Sequence, residues 1–311
     1  MFRCKTCQKE FSSDKSLDAH LKVHGGIAEY YSTWYPRRDL YDASFIEFKN
    51  KKQYLSSFFN SHENRLLFFR DNSGILAKDI LEKEFRDNRE HKNYSFLPCE
   101  NYLNLSKLAG VSDIKKIFGN CKEFCEKSKI EQYYTSNIPK NFWANTEELE
   151  NIVVHVDTRE QKPFKFKNLV YNKLDFGDYT SVGDHYSKTF VDRKSVGDFF
   201  STFGSQSNFD RFKREIKRCR EFNSFLFVIV EGSIKDLEKF SNKSKFHSGS
   251  NFAFHNVRDL LVNDYKFVQF LFCPDKVSAN DICKRVLLNG KSLWNCDVQY
   301  FLNNHYVLDK G

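Results

Sequence analysis

An α/β fold is what this 311-residue sequence predicts for its second half, behind a small ββα metal-binding module and a mainly helical middle region. Three observations predict it. Apolar runs of strand length alternate with helix-length amphipathic stretches from Ile152 to Leu288. Acidic and basic residues gather where those runs end, between Asp157 and Asp198. Near the N-terminus, two cysteines and two histidines recur at the spacing of a tetrahedral metal site. The boundaries that follow are 1–26 for the module, 27–135 for the mixed, helical region, 136–150 for a linker and 151–311 for the α/β domain.

The module comes first. Cys4, Cys7, His20 and His24 follow Cys-x2-Cys-x12-His-x3-His, the spacing of a two-Cys, two-His zinc finger. A short hairpin presents the thiolates, and two histidines one helical turn apart share a face. Phe2, Phe11 and Leu17 supply the small core, and a structural Zn2+ supplies much of the folding energy. The helix positions that usually meet bases are Ser13, Ser16 and Ala19, none of which reads a base edge bidentately. Lys5, Lys9, Lys15 and Lys22 suit phosphates, so the finger is expected to place the chain on DNA or to contact a protein.

In the middle region, the Tyr30–Arg38 stretch interleaves aromatic rings with arginines, which suits stacking on unpaired bases as well as the core and turns of a small fold. Ile75 to Glu131 reads as helical. Leu105, Leu108 and Ala109, the turn at Gly110, and a second amphipathic helix capped by Ser112 predict a helix-turn-helix-like DNA-binding unit. Lys115, Lys116 and Lys122 would face phosphates. Val111 to Ile130 resembles the Phe-Gly-containing helical repeats attached to some homing endonucleases. Residues 136–150, with Pro139 and several asparagines, read as the linker.

The α/β domain opens with a strand, Ile152–Val156, that delivers Asp157-Thr158-Arg159-Glu160. Leu174-Asp175-Phe176 leads into Gly177-Asp178-Tyr179, and Thr189–Val191 delivers Asp192-Arg193-Lys194, with Asp198 four residues on. Strand side chains alternate, so Asp192 and Lys194 point to one face. Converging carboxylates that hold a divalent cation beside an ammonium group suit phosphodiester hydrolysis. A helix over Asn208–Phe222 buries Phe209, Phe212, Ile216 and Cys219 and exposes Arg211, Lys213, Arg214, Lys217 and Arg218 as a backbone clamp. Phe225–Val230 reads as a buried strand. Further on come a helix near His255–Asn263, a strand at Phe267–Phe272 and a helix near Ser278–Leu288, while Gly232–Asn251 reads as a mobile basic loop.

Composition narrows the partners. The formal net charge is +8, which favours a polyanion such as DNA. Apolar residues make up 40% and aromatic residues 16%, so most of the chain is expected to fold. No apolar run is long enough to span a bilayer, and the N-terminus lacks a signal peptide, so the expected setting excludes the membrane. Of nine cysteines, the seven outside the finger are scattered, which predicts free core thiols in an intracellular, reducing compartment. That compartment is the nucleus for a eukaryotic source and the host cytoplasm for a viral or bacterial one.

Gly177-Asp178, Asp192-Arg193-Lys194 and Asp198, with Asp157-x-Arg159-Glu160 upstream, resemble the signature of XPF-type (ERCC4-domain) structure-specific endonucleases of the PD-(D/E)xK superfamily. The resemblance spans roughly Ile152 to Leu288 and implies a restriction-endonuclease-like fold. It implies a Mg2+- or Mn2+-dependent DNA endonuclease that cleaves branched, flap or fork DNA, with DNA-repair chemistry. Asp178 and Asp192 would be the principal metal ligands, with Asp157 and Glu160 completing or supporting the site. Lys194 would assist the attacking water, while Arg193 and Asp198 organise the site. The resemblance also implies a homodimer formed through the nuclease domain. Two departures stand out: Asp192 occupies the signature's glutamate position, and too few residues follow Asn289 for tandem helix-hairpin-helix modules, a role the finger and middle helices are expected to fill. The alternatives are a catalytically silent DNA-binding scaffold, and a zinc-finger regulator whose nuclease-like domain serves only for dimerisation.

Overall fold

A computed structural model describes residues 2–27, 30, 75–135, 137–182, 188–243 and 247–304. The chain divides into two compact units: Met1–Asn93 with Lys107–Lys129, and Tyr94–Ser106 with Ile130–Gly311. Apart from Tyr30, the aromatic and arginine-bearing run of the middle region lies outside the described residues.

In the first unit, β1 (Phe2–Arg3) and β2 (Glu10–Phe11) form an antiparallel hairpin, followed by α1 (Asp14–His20) and a 3₁₀ turn, Leu21–His24. Ser13 starts the helix, its hydroxyl accepting from the Ser16 amide. The miniature core holds Cys4, Leu17, Leu21 and Tyr30, with Phe11 and Ile27 packed against it. The Tyr30 hydroxyl accepts from the Lys5 amide at 2.8 Å, so the finger's core reaches beyond the expected boundary at residue 26.

The helical part of that unit comprises α2 (Ile75–Lys92), then, beyond a segment of the other unit, two short helices. Phe124 meets Phe85 and Phe118 edge-on at ring separations of 4.9 and 5.0 Å. Two details of the expected helix-turn-helix change. The segment holding Leu105 forms α3 (Glu100–Leu105) and belongs to the second unit. The following stretch is two helices: α4 (Val111–Phe118) starts at Gly110, not Ser112, and stops at Gly119, where φ is +85°. Asn120 then caps α5 (Cys121–Ser128) by accepting from the Glu123 amide. Cys121 and Cys125 are buried, as expected of core thiols.

The second unit is built on a six-stranded sheet in the order β4-β3-β5-β6-β7-β8. Its strands are β3 (Val153–Asp157), β4 (Asn168–Asn172), β5 (Tyr179–Ser181), β6 (Thr189–Ser195), β7 (Phe225–Glu231) and β8 (Val268–Cys273). β5 runs antiparallel to both β3 and β6, while the β3/β4, β6/β7 and β7/β8 pairs are parallel. β7 is buried on both faces, as its unbroken apolar run requires. Phe225, Phe227 and Ile229 join Val154, Val156, Tyr179 and Val191 in a core completed by α11 (Lys276–Asn289).

On the opposite face, Phe203 packs on Phe270 and Phe199 on Phe272. That layer includes α7 (Val196–Phe203), α8 (Gln206–Glu221) and α10 (His247–Asn263). Burying each such phenylalanine is worth about 1.5–3 kcal/mol. The layers make a helix–sheet–helix sandwich, the restriction-endonuclease-like α/β class expected from the sequence.

Two expectations about irregular segments do not hold. The stretch read as a linker, after α3 and before the sheet, carries a 3₁₀ turn, Lys140–Trp143, and α6 (Glu147–Asn151). Phe142 is fully buried in the sheet's core, and Arg285 donates to the carbonyls of Phe142 and Ala144 at 2.7 and 3.2 Å. Likewise the basic segment after Gly232, read as a loop, is helical over α9 (Ile234–Lys243) and the start of α10. Its few apolar residues are enough: Leu237 is fully buried and Phe240 stacks on Phe200 at 5.6 Å. The chain's last described helix is α12 (Val298–Asn304).

Candidate nuclease site and zinc centre

The sheet places the sequence-predicted residues around the end of β6. β6 runs on to Ser195, so Asp192, Arg193 and Lys194 lie within the strand and alternate across it. Asp192 and Lys194 share a face, and Arg193 takes the other.

Asp178 arrives from a tight turn. Gly177 adopts φ +68°, and a Cβ there would meet the Val191 carbonyl at 3.0 Å, so glycine is needed on both counts. The Asp178 amide donates to Val191 O at 2.7 Å, and one carboxylate oxygen accepts from the Arg193 amide at 2.7 Å. Asp178 is thereby pinned beside Asp192. Burial first, and the Asp192 charge second, push the Asp178 carboxyl well above the ordinary carboxylate range.

Lys194 Nζ sits 2.6 Å from the Asp192 carboxylate and donates to Oδ1. Burial disfavours its charge, but Asp192 and Asp178 outweigh that and hold its pKa above the ordinary lysine value. Lys194 is therefore held as an ammonium at neutral pH. Asp192 Oδ2 is buried and also lies 2.6 Å from the Lys194 ammonium, so the ion pair engages both carboxylate oxygens.

A residue the sequence reading passed over completes this face. Glu215, on α8, accepts the Gly177 amide at 2.7 Å. Burial and the Asp192 charge raise its pKa. The signal was present: Glu215 lies three residues after Phe212 and four before Cys219, inside the helix's buried stripe. A carboxylate on an apolar stripe calls for a partner.

On the other face, Arg193 forms a fork on Glu231 at 2.7 and 3.0 Å and reaches Glu160 at 3.4 Å. Its guanidinium lies 5.3 Å from the Phe164 ring centre. Glu231 was also overlooked, although it ends a strand as Asp157 does.

The carboxylates of Asp157 and Asp198 are engaged by other partners, although the Asp157 amide donates to the Asp178 carbonyl at 2.8 Å. Both Asp157 oxygens are taken: Arg159 donates its amide and Nε to Oδ1 at 2.8 and 2.7 Å, and Oδ2 accepts from Arg159 Nη2 and the Leu174 amide, each at 2.8 Å. Burial works against that charge, yet these bonds outweigh it and hold Asp157 below the ordinary carboxylate range. Asp198 is exposed and supports the N-cap of the next helix: Ser195 Oγ donates to its carboxylate at 2.6 Å and accepts its amide at 3.2 Å.

Among the described residues, the four finger ligands form the one group of three or more Cys, His or carboxylate donors that converge. Their ligand atoms all lie within 4.8 Å of one another. This donor set suits zinc. Burial resists the Cys4 thiolate, but the Cys7 and Thr6 amides outweigh it and lower its pKa, as metal ligation requires. Asp157, Glu160, Asp178 and Asp192 do not converge in that sense. Their oxygen donors, with Asp178 and Asp192 close enough to repel each other, do fit a hard divalent cation held by those two carboxylates.

The α/β sandwich brings Asp178, from the turn before β5, against Asp192 and Lys194 on β6. Residues 156–306 match the ERCC4 domain, so the similarity is to a DNA endonuclease family. Residues 1–22 match the zinc-finger double-stranded RNA-binding family. Among solved structures, XPF from Aeropyrum pernix is 21% identical, with a TM-score of 0.32, covering 48% of this chain and 69% of that one. The same protein in complex with DNA is 21% identical with a TM-score of 0.32, covering 44% and 64%. No curated protein matches the chain.

Proposed function

We propose that the protein is a metal-dependent DNA endonuclease that hydrolyses phosphodiester bonds in branched, flap or fork DNA. One observation carries this reading: the Asp178 carboxylate, held by the Arg193 amide, meets Asp192 and Lys194 beside β6, with the Lys194 ammonium against both Asp192 oxygens. Asp178 and Asp192 would hold Mg2+ or Mn2+, which supplies Lewis-acid stabilisation and a more acidic bound water. The Lys194 ammonium faces the charge that develops on the phosphate. Asp157 and Arg159 act at one remove: through Leu174 they fix the loop that presents Asp178. Arg193 ties the ends of β6 and β7 together through Glu231 and holds Glu160 beside them.

The finger serves as an accessory contact to duplex backbone, a reading supported by its zinc-binding donor set and its lysines. A homodimer through the α/β domain is part of the same reading. Equilibrium sedimentation of the zinc-loaded chain decides it, and a monomer at every concentration removes the dimer from the reading.

The test is cleavage of labelled duplex, single-stranded, 3′-flap, fork and four-way-junction DNA with Mg2+, Mn2+ or EDTA. Metal-dependent cutting of the branched substrates is expected. Folded, zinc-loaded protein that binds all of them and cuts none would make the chain a silent scaffold.

A further inference from the structure

We propose that Glu215 is a positioning residue for phosphodiester hydrolysis: by accepting the Gly177 amide, it sets the turn that aims the Asp178 carboxylate. The inference rests on the nuclease reading above and extends it to a residue outside the strand-borne motifs.

The turn from Leu174 to Asp178 is short, mostly irregular and attached from both sides. On one side Asp157 accepts the Leu174 amide at 2.8 Å and Arg159 donates to the Leu174 carbonyl at 3.0 Å. On the other, α8 supplies two side chains three residues apart, so they lie on one helix face. Arg218 donates to the Asp175 carbonyl at 3.2 Å, and Glu215 accepts from Gly177 at 2.7 Å. Of these four contacts, only the one from Glu215 falls on the residue next to Asp178.

The local backbone explains why that contact matters. Gly177 is held in the left-handed region against Val191 O, Leu226 and the Phe190 Cβ, with no spare space for a side chain. Its amide points away from the sheet ladder, and the Asp178 amide takes the Val191 carbonyl. Without Glu215, the Gly177 amide loses its acceptor in a buried turn, and the turn is free to rotate toward another one. Rotation there moves the Asp178 carboxylate relative to Asp192, the geometry on which cation binding depends. A displacement of about 1 Å at a catalytic group can cost on the order of a hundredfold in rate.

Glutamine keeps an oxygen able to accept from Gly177, whereas alanine removes it. The experiment compares wild type, E215Q and E215A as full-length, zinc-loaded proteins. It reads single-turnover cleavage at saturating DNA, the Mg2+ concentration for half-maximal rate, DNA affinity, and hydrogen exchange of the peptide containing Gly177 and Asp178. For E215A the expected result is a ten- to hundredfold lower rate, a higher Mg2+ requirement and faster exchange, with DNA affinity unchanged. E215Q is expected to restore rate, Mg2+ requirement and exchange to near wild type. If wild type cuts and E215A cuts within twofold of it, or if E215Q is as impaired as E215A, the positioning role is overturned and the nuclease reading stands. If wild type never cuts, the nuclease reading is overturned, and the positioning role with it, before any variant is compared.

Discussion

The surroundings of Asp178 oppose its charge. The residue is half-buried, faces Asp192, and keeps a carboxyl pKa well above the ordinary range. The folded chain therefore retains a proton that the unfolded chain releases, so metal-free stability falls as pH rises from the ordinary carboxylate value toward the raised one. Above that window the penalty is fully present. Asp178→Asn should raise the metal-free melting temperature at pH 7 by roughly 2–4 °C per kcal/mol relieved, and leave it unchanged in acid below the ordinary value. Calorimetry in EDTA at both pH values checks this. The same substitution, and Asp192→Asn, should lower cleavage by about a hundredfold or more with DNA affinity nearly unchanged. Parallel loss of binding would make these residues structural. Asp157→Ala has a different signature. It leaves the buried Leu174 amide without its acceptor and frees the exposed Arg159 guanidinium, so it should lower the melting temperature as well as activity, because an unsatisfied buried donor costs about 1–3 kcal/mol.

Among the elements, β6 and α7 share one continuous segment whose residues divide between chemistry and architecture. Asp192 and Lys194 extend into the site, while Ser195 and Asp198, immediately after them, close the first turn of α7. Ser195→Ala and Asp198→Ala should each cost about 1 kcal/mol in denaturant unfolding and keep cleavage within a few-fold of wild type. Abolished cleavage with unchanged stability would return Asp198 to the catalytic set. α8 likewise has two kinds of face. Arg211, Lys213, Arg214 and Lys217 are exposed, as the sequence predicts for a backbone clamp, while Glu215 turns inward with Phe212 and Ile216.

Across the whole molecule, the finger's core is made of its own residues, Cys4, Leu17, Leu21 and Tyr30, and it is too small to fold without metal. Removing zinc, or substituting Cys7→Ser, should melt the finger while the α/β unit keeps its own cooperative unfolding transition. Far-ultraviolet and near-ultraviolet circular dichroism followed against temperature separates the two. Simultaneous loss of both transitions would show that the α/β unit depends on the metal. Among the described residues, no helix is long and apolar enough to cross a membrane.

The sequence alone determined whatever depends on local periodicity and spacing. Cys4, Cys7, His20 and His24 converge because a hairpin and one helical turn fix their separation. β3, β6, β7, β8, α8 and α11 appear within a few residues of their expected places because their apolar runs have strand and helix periods, whereas β4, α7 and α9 were not expected. The Asp192/Lys194 pairing follows from strand alternation. Tertiary structure decided which charges meet. Asp157 and Asp198 carry the same functional group as Asp178, and nothing local separates them. Only the folded sheet gives Asp157 to Arg159 and Leu174, Asp198 to a helix cap, and Asp178 to Asp192. Phe142 and Leu237 became core residues because distant elements supplied surfaces for them, though their flanking Asn, Lys and Ser suggested loops. Glu215 and Glu231 join the site from elements 21 and 37 residues beyond Lys194, a convergence set by packing and not by the order of the chain.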